Sequence, residues 1–146
     1  MKTKTDIAVE KFAQGYNCAQ SVFYCFCDDL HFDKDAALKL STGFGGGMGR
    51  MQEVCGALTG AIIVLGAKFG RGENADRSAT ELTYKKTRQL MDRFAAKHGT
   101  VLCRRLLDGC ELATEAGQKM YKDNDLINTV CKPCVQSAVE ILEEIL

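Results

Sequence analysis

The chain has no tryptophan, a single proline and no excess of charge of either sign. Its nineteen basic residues balance nineteen acidic ones, so no overall field draws it onto nucleic acid or an anionic membrane surface. The longest apolar stretch, 57–67, is interrupted by Thr59, Gly60 and Gly66 and is too short to span a bilayer. We therefore expect neither nucleic acid nor a membrane as a partner.

The N-terminal segment also lacks the uninterrupted apolar run of a secretory signal, because Asp6, Glu10 and Lys11 place charges in it. This predicts a cytoplasmic protein. A length of 146 residues is typical of one domain and allows one hydrophobic core without disulfide bonds. We expect a single cysteine-rich helical domain over residues 1–146.

Segments with alternating apolar and polar residues are almost absent, whereas apolar residues recur at helical spacing. The pattern predicts an all-α fold, a bundle of about six to seven helices around a buried central helix at about 51–68. Asn17 and Asp33 are suitable N-caps for two of the helices, and Pro133 suits the first turn of the last one. The other helices are predicted over about 6–14, 18–30, 34–41, 74–97 and 101–107, followed by an irregular stretch to about 123.

Five glycines fall within the seven residues 43–49, which cannot continue a helix without a large entropic penalty. The segment is predicted to be a loop with unusual dihedral angles. It has neither a P-loop nor a dinucleotide-binding glycine spacing. Exposed amides of Gly45, Gly46, Gly47 and Gly49 would form an anion-binding nest or donate to thiolates and cluster sulfurs near Cys55. A tight packed turn is the alternative.

Eight cysteines are many for this length. A secreted disulfide scaffold would explain them, but such scaffolds are smaller, richer in loops and preceded by a signal peptide. Free cysteine also fills a core as a small apolar side chain. In a reducing compartment, the remaining explanations are metal ligation and catalytic or sensing thiols.

Two cysteines, Cys18 and Cys131, are predicted to lie at or beside helix starts, where free amides and the helix dipole lower a thiol pKa. The second of them opens a Cys-x-x-Cys pair with Cys134, a spacing that can close a disulfide or hold one metal. A thioredoxin fold is not predicted, because such a pair would need a βαβ context.

With these features together, the chain resembles the C_GCAxxG_C_C family of redox-active bacterial proteins. The pattern is one cysteine, then C-G-A-x-x-G, then two more cysteines. The matching segments are Gly15-Tyr16-Asn17-Cys18-Ala19-Gln20, the glycine run 43–49 leading into Cys55-Gly56-Ala57-Leu58-Thr59-Gly60, then Cys103-Arg104-Arg105-Leu106-Leu107, and Cys131.

The resemblance implies a helical domain in which Cys18, Cys55, Cys103 and Cys131 act together. Related sequences include selenoproteins and proteins fused to, or encoded near, electron-transfer proteins, which implies a redox role by analogy. The remaining cysteines lie outside the family pattern and are expected to be apolar filling, with Cys134 the exception because it completes Cys-x-x-Cys. They are Cys25, Cys27, Cys110 and Cys134.

Three functions remain open. In the first, the protein is a thiol oxidoreductase: Cys18 or Cys131 attacks and Cys55 or Cys103 resolves, with a redox protein or a small thiol as partner. In the second, the same four cysteines, with Cys134 as a further candidate, bind zinc or an iron–sulfur cluster. In the third, the chain is a helical interaction module. The small-residue face of the Cys55 helix would allow close packing within or between chains, so a homo-oligomer is also an alternative.

Overall fold

The computed structural model describes residues 1–146 and shows an all-α fold with no strand. Nine α-helices make up most of it. They are α1 (Lys4–Ala13), α2 (Cys18–Cys25), α3 (Cys27–Leu30), α4 (Lys34–Ser41), α5 (Gly56–Phe69), α6 (Arg77–His98), α7 (Cys103–Leu106), α8 (Glu115–Asp123) and α9 (Lys132–Ile145). Two of them, α3 and α7, are single turns of four residues, so seven longer helices remain. The predicted helical bundle is confirmed.

Three short elements complete the backbone: a 3-10 turn (Thr42–Phe44), a turn with left-handed residues (Gly45–Met48) and a π-helical segment (Ile127–Cys131). The π segment runs directly into α9, because Cys131 and Lys132 both have right-handed helical dihedrals. One isolated antiparallel bridge joins Val54 to Leu102.

Local capping sets several helix starts as the sequence predicts. Asn17 caps α2 in a reciprocal box with Gln20, each side chain accepting from the other's backbone amide at 2.9 Å. The Asp33 carboxylate accepts from the amide of Ala36 at 2.8 Å and caps α4. The predicted helix over 18–30 instead ends at Cys25, and the single turn α3 follows it.

Helix α5 lies at the centre of the fold and buries eight residues, among them Leu58, Val64 and Leu65. It packs against α2, α6 and α9, and α1 covers α2 and α9. The predicted central helix is therefore confirmed, but its predicted start near Met51 is wrong. Residues 50–55 instead follow an irregular path, because Arg50 and Gln52 have positive φ angles.

The predicted irregular stretch before residue 123 is also wrong in part, because it contains α8. The Thr114 hydroxyl accepts from the amide of Gly117 and caps this helix. Only Gly117 of α8 is buried, and a glycine within so short a segment lowers the helix propensity by which the helix would be recognised in sequence.

None of the helices combines the length and the apolar character needed to cross a bilayer.

Candidate functional site

A cavity of about 420 Å³ lies where α2, α5, α7 and the π segment meet the glycine turn. Five of the eight cysteines line it, and all eight are free thiols. The five are Cys18, Cys55, Cys103, Cys131 and Cys134. The structure thus brings together the four cysteines of the predicted site and adds Cys134.

Backbone pairing around the Val54–Leu102 bridge sets two of these cysteines side by side. The Cys55 amide donates to the carbonyl of Val101 at 2.8 Å, and the Cys103 amide donates to the carbonyl of Glu53 at 2.7 Å. Cys55 consequently becomes the N-cap of α5, and Cys103 becomes the first residue of α7.

Cys18 and Cys131 form the first thiol pair. Hydrogen bonding from the thiol of Cys18, and then from the phenol of Tyr121, lowers the pKa of Cys131 to about 7 against the opposing effect of desolvation. The pKa of Cys18 is raised well above its ordinary value, chiefly by this same hydrogen bond and then by burial. The preferred charge state is therefore a Cys131 thiolate that accepts from a neutral Cys18.

The predicted cause of thiol activation needs correction at both residues. Cys18 does begin a helix, but its pKa rises, because its sulfur is desolvated beside the Cys131 thiolate and the amide of Gln20 is already bonded to Asn17. Cys131 is activated, yet it lies inside a continuous helical run, so no free helix start acts on it. The neighbouring Cys18 thiol and Tyr121 hydroxyl lower its pKa instead.

Cys55 and Cys134 form the second thiol pair. The thiol of Cys134, followed by the Ala57 and Leu58 amides at the start of α5, lowers the pKa of Cys55 against the opposing effect of burial. The pKa of Cys134 is raised, first by its interaction with Cys55 and then by burial. Cys55 is thus the cysteine that benefits from a helix start, and the amides that act on it belong to α5 and not to the glycine turn.

Cys103 lies in the same cavity as a neutral thiol. Burial raises its pKa to about 12, and the nearby sulfurs of Cys55 and Cys131 add to the shift. The buried Gln52 side chain donates to the carbonyl of Cys110 at 2.8 Å and accepts from the amide of Leu112 at 2.9 Å. Gln52 thereby fixes the start of α5 to the segment that follows Cys103.

The glycine turn has the predicted unusual dihedral angles, with positive φ at Gly46, Gly47 and Gly49. Together with Gly45 these glycines line the cavity. A Cβ on Gly47 would lie 2.7 Å from the Cα of Gln52 and 2.8 Å from the Cβ of Cys103. This close approach supports the packed-turn interpretation of the segment, while its role as an anion nest stays a prediction.

The three cysteines outside the cavity bond to helix and turn carbonyls. The thiol of Cys25 donates to Val22 at 3.2 Å, and the thiol of Cys27 donates to Phe23 at 3.4 Å. Cys110 donates to the carbonyl of Gly117 at 3.1 Å. All three are buried, in agreement with the expected role as apolar filling.

Sequence reasoning missed Tyr121 and Gln52 as site residues. Neither lies in a motif, and Tyr121 belongs to a helix that the sequence pattern does not predict. The N-cap position of Cys55 was missed because the central helix was predicted to begin several residues earlier.

The donor set does not form the predicted zinc site in this structure. No three histidine, cysteine, aspartate or glutamate side chains are arranged to hold a metal ion. Four of the cavity sulfurs instead interact in two pairs, Cys18 with Cys131 and Cys55 with Cys134. Binding of zinc or of an iron–sulfur cluster by these cysteines stays a prediction.

The fold and the site together define a class: an all-α, cysteine-rich protein whose thiols meet in one cavity. Residues 16–145 match the family model described as "Putative redox-active protein (C_GCAxxG_C_C)", and the chain belongs to this family. The central motif here has glycine after the cysteine, as Cys55-Gly56-Ala57. The resemblance inferred from the sequence is confirmed. Neither the curated proteins nor the solved structures gave a significant match.

Proposed function

We propose that the protein is a thiol oxidoreductase whose active dithiol is Cys18 and Cys131. The observation that supports this is that both cysteines line one cavity, where the neutral Cys18 thiol favours the thiolate form of Cys131. Thiolates are the attacking species in disulfide exchange, and a thiol pKa near the ambient pH gives the fastest attack. Both residues are partly exposed, whereas the other three cavity cysteines are buried.

The proposed reaction begins when the Cys131 thiolate attacks one sulfur of a substrate disulfide. A mixed disulfide forms and the other substrate sulfur leaves as a thiolate. Cys18 then loses its proton to that thiolate and attacks the sulfur of Cys131. The products are a Cys18–Cys131 disulfide and the two substrate sulfurs as one thiol and one thiolate. The chain gives up two electrons, the substrate disulfide takes them, and the same steps reversed oxidise a substrate dithiol.

The size and lining of the cavity favour a small disulfide, or one side chain of a redox partner protein, as the substrate. Its volume of about 420 Å³ lies within the range of small-molecule sites, and apolar side chains such as Phe12, Leu107 and Val130 form much of the wall. Such a wall excludes water from the reacting sulfurs and strengthens the hydrogen bonds to Cys131.

The test is a redox titration of the reduced chain in glutathione buffers, with peptide mapping after alkylation. We expect reversible oxidation with a Cys18–Cys131 disulfide, and its loss in Cys131→Ser. Cys27→Ser is the matched control, because Cys27 is buried away from the cavity, and it should oxidise like the parent. A chain that never oxidises reversibly contradicts the proposal.

Measurements on the same protein distinguish thiol exchange from the two alternatives, metal binding and a helical interaction module. Elemental analysis of untagged protein purified without air should find neither zinc nor iron near one equivalent per chain. Near-stoichiometric metal that disappears in Cys131→Ser would replace thiol exchange by metal binding. Unchanged redox behaviour in both cysteine variants, with only their stability affected, would favour the interaction module.

A further inference from the structure

The cavity contains a second dithiol that the proposed exchange does not use. Cys55 and Cys134 are 6% and 1% exposed, so no large substrate reaches them directly. Both nevertheless line the cavity that Cys18 and Cys131 line, and the Cys134 thiol lowers the pKa of Cys55 as the Cys18 thiol lowers that of Cys131. Cys134 also lies one helical turn after Cys131, on the same face of the helical run, so the two pairs are neighbours.

The two pairs meet where α2 passes the start of α5. A Cβ on Gly56 would lie 3.3 Å from the Cβ of Cys18, so no side chain at this position separates Cys18 from the α5 start. Negative charge on Cys55 also acts on Cys18, which places the two sulfurs within electrostatic range.

We propose that Cys55 and Cys134 are a second redox dithiol that takes over the disulfide first formed between Cys18 and Cys131. When a second substrate disulfide oxidises Cys18 and Cys131 again, the chain stores two disulfides, one in each pair. This inference rests on the proposed exchange at Cys18 and Cys131 and extends it. The partly exposed pair reacts with the substrate, and the buried pair holds the oxidising equivalents away from solvent.

The transfer needs no outside oxidant. The Cys55 thiolate attacks the sulfur of Cys18 in the Cys18–Cys131 disulfide, which forms a Cys18–Cys55 bond and releases Cys131 as a thiolate. Cys134 then loses its proton and attacks the sulfur of Cys55, forming the Cys55–Cys134 disulfide. Cys18 leaves and takes up the proton that Cys134 lost. One disulfide is broken and one is made, so electrons and protons balance within the chain.

The donors around each sulfur favour this direction of attack. Exchange is faster when the leaving thiol has a low pKa, and the phenol of Tyr121 can still stabilise Cys131 as a thiolate when Cys18 is held in the Cys18–Cys55 disulfide. The pKa of Cys55 is lowered by the Cys134 thiol and by the start of α5, neither of which changes when the first disulfide forms, and a lowered pKa favours the attacking thiolate. After the transfer, the Cys18–Cys131 dithiol is free to reduce a second substrate disulfide.

The first experiment follows the unmodified, fully reduced chain after one equivalent of a small disulfide, with acid quenching and peptide mapping at successive times. We expect the Cys18–Cys131 disulfide to appear first and to decay as Cys55–Cys134 rises. At excess disulfide, two disulfides per chain should be found. If Cys55 and Cys134 stay fully alkylatable while Cys18–Cys131 forms, the second dithiol is overturned and the proposed function stands. If no cavity disulfide forms at all, both are overturned.

Variants test the transfer separately. Cys134→Ser should hold one disulfide where the parent holds two, and Cys18→Ser should form Cys55–Cys134 about tenfold more slowly or not at all. Cys110→Ser is the matched control, because Cys110 is also 1% exposed but does not line the cavity, and it should store two disulfides. Unchanged formation of Cys55–Cys134 in Cys18→Ser contradicts the transfer. The time course of the unmodified chain decides the question if Cys134→Ser fails to fold.

Discussion

Two neutral donors, the thiol of Cys18 and the phenol of Tyr121, stabilise the Cys131 thiolate. Since both are hydrogen-bond donors, each favours the charged form of the sulfur over its neutral form. The pKa of Tyr121 itself is raised, chiefly by burial and then by the charge of Cys131, so the phenol keeps its proton throughout the working range. Tyr121 is therefore a positioning and polarising residue for Cys131.

Replacing Tyr121 by Phe should raise the pKa of Cys131, because one donor to the thiolate is lost. The midpoint of the pH dependence of Cys131 alkylation should move upward from about 7 by about one pH unit, the equivalent of one charge-assisted hydrogen bond. The measurement is the iodoacetamide reaction rate of the Cys131 peptide between pH 5 and 10. Tyr84→Phe, at an exposed tyrosine of α6, should leave the midpoint unchanged. An unshifted midpoint in Tyr121→Phe argues against the phenol as donor.

The sequence identifies which cysteines meet but not how they pair. Cys18, Cys55, Cys103 and Cys131 follow from the family resemblance, and all four line one cavity. Their pairing depends on how α2, α5 and the π segment converge, and no local signal encodes that. Cys131 was expected to react with Cys55 or Cys103, whereas the structure places it against Cys18.

At the scale of elements, α2 and α5 approach so closely that one glycine of the contact has no room for a side chain. A Cβ on Gly60 would lie 2.5 Å from the carbonyl oxygen of Ala19, and a backbone atom cannot move aside as a side-chain tip can. Elsewhere in the same helix, Gly66 has no neighbour within 4 Å of its Cβ position.

Gly60→Ala should therefore destabilise the fold by about 2 to 3 kcal/mol, the usual cost of overpacking a core. Gly66→Ala should stabilise it by about 0.5 to 1 kcal/mol, because alanine lowers the entropy cost of forming the helix. Urea unfolding of both variants under reducing conditions measures the two free energies. A similar change in both variants would contradict the close α2–α5 contact.

The glycine turn allows a second matched comparison. Gly47→Ala combines a left-handed conformation with contacts below 3 Å, so we expect a loss of roughly 2 to 5 kcal/mol. Gly43 has an ordinary φ and open space at its Cβ position, so Gly43→Ala should change the free energy of unfolding by less than about 0.5 kcal/mol. Thermal or urea unfolding measures the stability of the two variants. Equal stability of Gly47→Ala and Gly43→Ala would contradict the tight packing at Gly47.

Helix starts were predictable only where a side chain marks them. Asn17 and Asp33 are polar residues whose side chains cap a helix, and both were recognised from the sequence. The α5 start has no such mark, because the segment before it is held by pairing with residues 101–104. Met48, Arg50 and Gln52 adopt positive φ angles that their residue types do not suggest.

At the scale of the whole molecule, buried thiols make the stability dependent on alkaline pH. Burial raises the pKa of Cys25 to about 12 and that of Cys103 to about 12, above the value near 8.5 of an unfolded cysteine. The folded chain thus binds more protons than the unfolded chain in this range. The contribution of these two thiols to the free energy of unfolding is complete below about pH 8.5. It is lost as the pH rises through the pKa that the thiols have in the folded chain.

We expect the free energy of unfolding to fall between about pH 9 and 12, with each such thiol contributing about 1.4 kcal/mol per pH unit. Cys25→Ala should make the slope shallower by about that amount, because one titrating group is removed. Urea unfolding in the presence of a non-thiol reductant, at several pH values, measures the slope. Equal slopes for parent and variant would show that Cys25 has the same pKa in the folded and the unfolded chain.

The π segment before α9 holds one residue more per turn than an α-helix, with the amide of Lys132 bonded to the carbonyl of Ile127. Deleting one residue there would convert the wide turn into an α-helical one while α9 kept its place in the core. Everything on the N-terminal side would then rotate by about 100° around the helix axis. The extra residue therefore sets how the residues before Cys131 face the cavity, among them Ile127, and a chain without it would present a different side chain beside the thiols.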